Sequence, residues 1–197
     1  MKKVYLCNII NSTLFIYILS IYLLTYREGL NSISNAIAFI LAALIWMNFL
    51  LTRRKLIFNK VLFLFLIFIC ICMISVYFAL NANIAITKVK TLILIYIVML
   101  SLANYVNDFD KLRKLMTYFI YSGFVASIYI LTNSNFYKVT RYGSVLGNVN
   151  AMGVIIGISA TFCFYIILCE KKYLYSFFLL VMIPTILLTG SRQSIMF

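Results

Sequence analysis

Two short stretches of this chain hold residue types that can do chemistry. The first runs from Asn133 to Asn150 and is the longest polar stretch in the sequence. It carries Lys138, Arg141, Gly143, Gly147, Asn148 and Asn150. The second is Pro184-Thr185-Ile186-Leu187-Leu188-Thr189-Gly190-Ser191-Arg192-Gln193-Ser194. Arginine presents a planar fork of donors that matches phosphate or pyrophosphate in a bidentate way. Glycine lets a backbone approach a ligand or another helix closely. The amides of Asn148 and Asn150 both donate and accept, and Asn150 is placed to cap a helix that begins at Ala151-Met152-Gly153. The plainer readings are a loop leading into a glycine-lined packing face, and an arginine that snorkels at a helix end. There is no histidine, and the acidic residues are only Glu28, Asp108, Asp110 and Glu170. No zinc or other metal site is expected, and no general base stands beside either arginine.

The elements that must position these residues are set by the rest of the chain. Of 197 residues, 65% are hydrophobic and 11% charged, and the mean hydropathy is +1.07. A soluble domain is about 45–50% apolar and about 25% charged. A cytosolic enzyme, a secreted disulfide scaffold and a disordered chain are therefore excluded. The net charge of +13 sits in short groups between apolar runs. It reads as topogenic, touching anionic membrane lipids rather than nucleic acid. The five cysteines form no framework and are expected to be buried, inert thiols in apolar surroundings.

Apolar runs cover about 5–26, 33–51, 61–80, 91–106, 115–132, 151–168 and 174–189, each near the ~20 residues that cross a bilayer. They are apolar all round and do not alternate, which predicts helices rather than barrel strands. The first run is too long for a signal peptide and carries Asn8, Asn11 and Ser12, so it reads as a retained helix. On alternating sides, eleven Lys and Arg fall with the N-terminus and six fall opposite. The side rich in Lys and Arg is predicted cytoplasmic. The expectation is an all-α polytopic membrane protein with about seven spans, its N-terminus in the cytoplasm. Residues 133–150 and the end of the seventh run then face outside. The whole of 1–197 forms one multi-span domain, with no room for a soluble one.

Taken together, the two stretches resemble the O-antigen ligase and surface-polysaccharide polymerase superfamily. Its members carry an Arg and Gly stretch leading to an Asn at a helix start, similar to Arg141-Tyr142-Gly143 and Gly147-Asn148-Val149-Asn150-Ala151 here. Some thirty to forty residues later they carry a Thr-Gly-Ser-Arg-Gly type motif, similar to Thr189-Gly190-Ser191-Arg192-Gln193 here. The chain departs from the pattern in having Val149 where a proline is common and Gln193 where a small residue is common. Family members have about twice as many spans, so the resemblance covers an N-terminal half. The chain reads as a truncated copy, a fragment or part of a split gene.

The resemblance implies a glycosyltransferase at the outer face of the bacterial cytoplasmic membrane. Its donor would be an undecaprenyl-pyrophosphate-linked glycan, transferred during capsule or O-antigen assembly without a cofactor. Arg192 would be the catalytic group on the leaving pyrophosphate. Arg141, Gly143, Asn148, Asn150, Gly190 and Ser191 would shape the substrate site, and other polysaccharide-assembly proteins would be partners. Two rivals remain. One is a transporter of a related lipid-linked glycan, disfavoured by few mid-span charges and no repeat symmetry. The other is a non-catalytic scaffold or remnant of an assembly complex, which the missing second half favours.

Overall fold

The computed structural model describes residues 2–24, 29–52, 56–133 and 148–189. The chain is an all-α polytopic membrane protein: the described residues form helices and no strand. In hydrocarbon no water satisfies a backbone N–H or C=O, so even Ile- and Phe-rich runs adopt the helix that closes every bond internally. The helices are α1 (Lys2–Leu23), α2 (Asn31–Thr52), α3 (Lys60–Ser75), α4 (Ala82–Tyr105), α5 (Phe109–Asn133), α6 (Val149–Glu170) and α7 (Ser176–Thr189). All except α7 are long and apolar enough to cross a membrane, α3 with the single 3-10 turn Val76–Phe78 that extends it. The seventh expected span is shorter: α7 has 14 residues, preceded by the 3-10 turn Tyr173–Tyr175.

Two helices begin well before the apolar runs that announce them. The fourth run was placed at 91, yet α4 starts at Ala82. The fifth was placed at 115, yet α5 starts at Phe109. The added turns carry Asn83, Thr87, Lys88 and Lys90 in α4, and Lys111, Arg113 and Lys114 in α5. Helical hydrogen bonding continues past the hydrocarbon into the headgroup layer, where polar side chains are tolerated, so hydropathy alone misplaces these starts. Asparagines mark three of the helix starts. Asn59 Oδ1 accepts from Leu62 N at 2.9 Å, and Asn81 Oδ1 accepts from Ile84 N at 3.3 Å. Asn148 does the same for α6. Each takes up a first-turn N–H that the helix itself leaves unpaired.

The chain divides into two compact units. Unit 1 comprises residues 1–13 and 35–109. In it α3 packs on α4, and Tyr105 at the end of α4 donates to Asn11 Oδ1 of α1 at 2.8 Å. Cys7 Sγ lies 3.5 Å from the same Tyr105 hydroxyl. Asn104 closes the segment before α3, accepting from Ile57 N at 2.7 Å and donating to Ile57 O at 3.2 Å.

Unit 2 comprises residues 14–34 and 110–197. Its interior is a seam of small residues. Ser122, Gly123, Ala126 and Ser127 are buried on α5, and Gly153, Gly157, Ser159 and Ala160 on α6. Ser159 Oγ donates to Phe119 O across the seam at 2.8 Å. The hydroxyl of Tyr22, from α1, sits 2.5 Å from Ser159 Oγ and donates to Ile155 O at 3.1 Å. Gly123 fits only because it has no Cβ: one added there would lie 2.5 Å from Ser159 Oγ and 2.6 Å from its Cβ. On the other side of α5, Phe124 and Phe178 of α7 meet edge to face with centroids 4.8 Å apart, a favoured aromatic geometry.

The cysteines correct one expectation. All five are free, as expected, but only Cys163 is buried; Cys7 and Cys72 are half-buried, and Cys70 and Cys169 are exposed. An apolar run on a lipid-facing helix hides nothing inside the protein, so apolar neighbours in sequence do not imply burial.

Candidate functional site at the open end of the α6–α7 hairpin

Five residues link α6 to α7, and the two helices pack on one another. Lys171, with φ 56° and ψ 29°, turns the chain out of α6 in the left-handed conformation. So short a link makes α6 and α7 antiparallel. From that turn α6 rises over 22 residues, about 33 Å. The 3-10 turn and α7 rise about 27 Å. Thr189 therefore reaches roughly the level of Gly153, one turn below Asn148. The chain leaving α7 toward Gly190 and the chain entering α6 at Asn148 thus share one end of this hairpin.

At that end Asn148 is the N-cap, with φ −81° and ψ 104°. Its Oδ1 accepts from Asn150 N at 3.1 Å and Ala151 N at 3.2 Å. Its backbone carbonyl accepts from Met152 N at 3.0 Å. The capping role expected of Asn150 thus belongs to Asn148. The helix starts two residues earlier than its apolar face suggests, because Val149 and Asn150 already have helical backbone. Asn148 and Asn150 are both exposed. The side chain of Asn150 is no part of the cap, whereas the oxygen of Asn148 is engaged. With the N–H groups of Asn150, Ala151 and Met152 taken, little of the helix start remains for an anion.

Beneath this end the hairpin is closed. Met152, Gly153, Ile156 and Gly157 of α6 are buried, as are Thr185, Ile186 and Thr189 of α7. Thr185 Oγ1 donates to Val181 O at 2.8 Å and Thr189 Oγ1 to Ile186 O at 2.6 Å. Such back-bonds let threonine lie in an apolar interior. Pro184 lies inside α7, which continues through it to Thr189. It removes one rung of the ladder, the bond to the Leu180 carbonyl, without ending the helix. The break expected at Gly190 lies outside the described residues, as do Arg141, Gly143, Gly190, Ser191 and Arg192.

Two acidic residues of this unit, Asp110 and Glu170, are placed away from this end. Glu170 closes the opposite end of α6, about 33 Å from Asn148, where it pairs with Arg113 of α5 and lies 3.4 Å from Lys172. Asp110 is in the first turn of α5, the same turn region that supplies Arg113. Among the described residues no cluster suited to a metal ion is found. The contacts that sequence reading missed are the interhelical ones, Tyr22 to Ser159 and Tyr105 to Asn11. Each residue is visible as a lone polar group in an apolar run, but a single sequence does not say which two meet.

No known family, curated protein or solved structure matches this chain.

Proposed function

We propose that this chain is a glycosyltransferase of bacterial surface-polysaccharide assembly, a polymerase or O-antigen ligase-like protein of the cytoplasmic membrane. It takes an undecaprenyl-pyrophosphate-linked glycan at the outer face and moves the glycan to an acceptor. The observation that supports the reading is the shared end of the α6–α7 hairpin. The stretch with Arg141 and Gly143 enters α6 there through Asn148, and the stretch with Gly190, Ser191 and Arg192 leaves α7 there after Thr189. What supports the reading is that Asn148 and Thr189, the described residues that adjoin the two motifs in sequence, stand toward the same end of the hairpin.

In this reading the leaving pyrophosphate gathers negative charge as its bond to the sugar breaks, and the Arg192 guanidinium neutralises it. Fixed donors in a site of low dielectric are effective at such a task. Arg141 and the free amide of Asn150 orient the glycan. The test is glycan chain length in cells that depend on this protein. Arg192→Gln and Arg192→Lys both shorten the polysaccharide to single repeats, with a rate loss of about 10²–10³ as for other charge-stabilising donors. Full-length glycan from Arg192→Lys would show that no bidentate contact is used.

A second reading, a non-catalytic scaffold of the assembly machinery, draws on the placement of Glu170 and Asp110 far from the hairpin's open end. Under it, neither deletion of the chain nor any Arg192 variant alters glycan length. The transporter reading gains little from the interior, where Ser127, Ser159, Thr185 and Thr189 donate to backbone carbonyls and, among the described residues, Ser122 alone has a buried hydroxyl without a partner.

A further inference from the structure

Unit 1 contains two neighbouring apolar cavities that meet at one cation. The larger, about 610 Å³, lies between α3 and α4 and is lined by Met73, Ile74, Tyr77, Ile86, Val89 and Lys90. The other, about 460 Å³, lies between α2 and α4 and is lined by Asn35, Phe39, Thr91, Leu94, Ile97 and again Lys90. Each is of a size that holds a hydrocarbon chain or a small ligand. Lys90 is exposed, and among the described residues no carboxylate pairs with it. Asp108 and Asp110 follow the far end of α4, more than about 20 Å away along the helix.

Lys90 stands eight residues, about 12 Å, inside the start of α4. That helix has 24 residues, about 36 Å against a hydrocarbon core of about 30 Å. Its first turns thus project into the headgroup layer, and a snorkelling ammonium at Lys90 reaches lipid phosphates. Thr87, three residues before it, shares its helix face, and Thr91 lines the same α2–α4 groove. Their hydroxyl protons go to Asn83 O at 2.9 Å and Thr87 O at 3.1 Å. Their oxygens are left as acceptors, suited to hydroxyl groups on a ligand head.

We infer that this is a binding site for one anionic, two-tailed phospholipid with a hydroxylated head, of the phosphatidylglycerol type. The phosphate sits on Lys90, the head hydroxyls face Thr87 on the headgroup side of it, and one acyl chain lies in each cavity. Two grooves meeting at a single cation fit one head and two tails. A single-chain prenyl phosphate would fill only one groove. The site stands apart from the α6–α7 hairpin and does not depend on the function proposed for it.

The test is native mass spectrometry of the full chain released from vesicles of equimolar phosphatidylglycerol and phosphatidylcholine. One phosphatidylglycerol is retained per chain, with a preference of about fivefold, the effect of one lysine at a membrane surface. Lys90→Gln abolishes the preference and Lys90→Arg keeps it, which separates loss of charge from misfolding. Val89→Trp, filling the first groove, and Leu94→Trp, filling the second, each reduce retention. Equal preference in Lys90→Gln overturns the assignment. So does displacement of the bound lipid by an equal amount of undecaprenyl phosphate, which would make the occupant single-tailed. Displacement by free inorganic phosphate would reduce the site to an anion site and overturn it as well.

Discussion

The α3–α4 pair and the α5–α6 pair are both made of long apolar helices, yet they spend their side chains differently. In α3 and α4, 11% and 17% of the most apolar stretch is buried within the protein; in α5 and α6, 39% and 44%. The most hydrophobic of the six spanning helices, α3, is also the least buried. Its Phe63, Leu64, Ile67, Phe68 and Ile71 are exposed and face lipid, which is as apolar as they are. Lipid removes the water that drives burial in a soluble protein, so what brings membrane helices together is close fit and interhelical hydrogen bonding. The α5–α6 seam has both, in Gly123 against Ser159 and in the bond from Ser159 Oγ to Phe119 O. Hydropathy finds helices in this chain; small and hydroxylated residues decide which of them pack.

Three substitutions sharpen or break that contrast. Gly123→Leu has the largest effect, because the new side chain must enter the space of Ser159. A loss of about 3 kcal/mol, at the upper range for overpacking, is expected in reversible unfolding from mixed micelles. A folded, undestabilised Gly123→Leu protein would mean that the seam is not tightly packed. Tyr22→Phe comes next, removing a hydroxyl that meets Ser159 and Ile155 O while leaving Ser159 its bond to Phe119. About 0.6 kcal/mol is expected, the mean for hydrogen bonds between membrane helices. Leu64→Ala on α3 has the smallest effect, within about 0.5 kcal/mol as for an exposed position. A cost above about 2 kcal/mol would show that this face of α3 is covered by protein rather than lipid.

The helix order was legible because each span is a run of apolar residues, but the caps at Asn59, Asn81 and Asn148 were not read from it. The starts of α4 and α5 were not legible, since Lys88, Lys90, Lys111 and Arg113 look like loop residues until the helix is seen to extend into the headgroups. The site was readable only as two motifs far apart in sequence. That Asn148 and Thr189, the described residues adjoining those motifs, stand toward one hairpin end follows from the short turn at Lys171 and the packing of α6 on α7. The assignment of the cap to Asn150 failed because Val149 and Asn150 already have helical backbone.

The Arg113–Glu170 pair has a consequence for how the protein is made. The two residues are 57 positions apart, so at synthesis rates of about 5–20 residues per second Arg113 waits roughly 3–11 seconds for its partner to emerge. During that interval α5 is threaded into the bilayer and α6 has yet to choose a direction. Only if α6 crosses back does Glu170 arrive beside Arg113; inserted the other way, it ends a full bilayer thickness away. The ion pair, with Lys172 beside it, is thus available only to the threading in which α6 crosses back, the one that also brings Asn148 and Thr189 toward a common end.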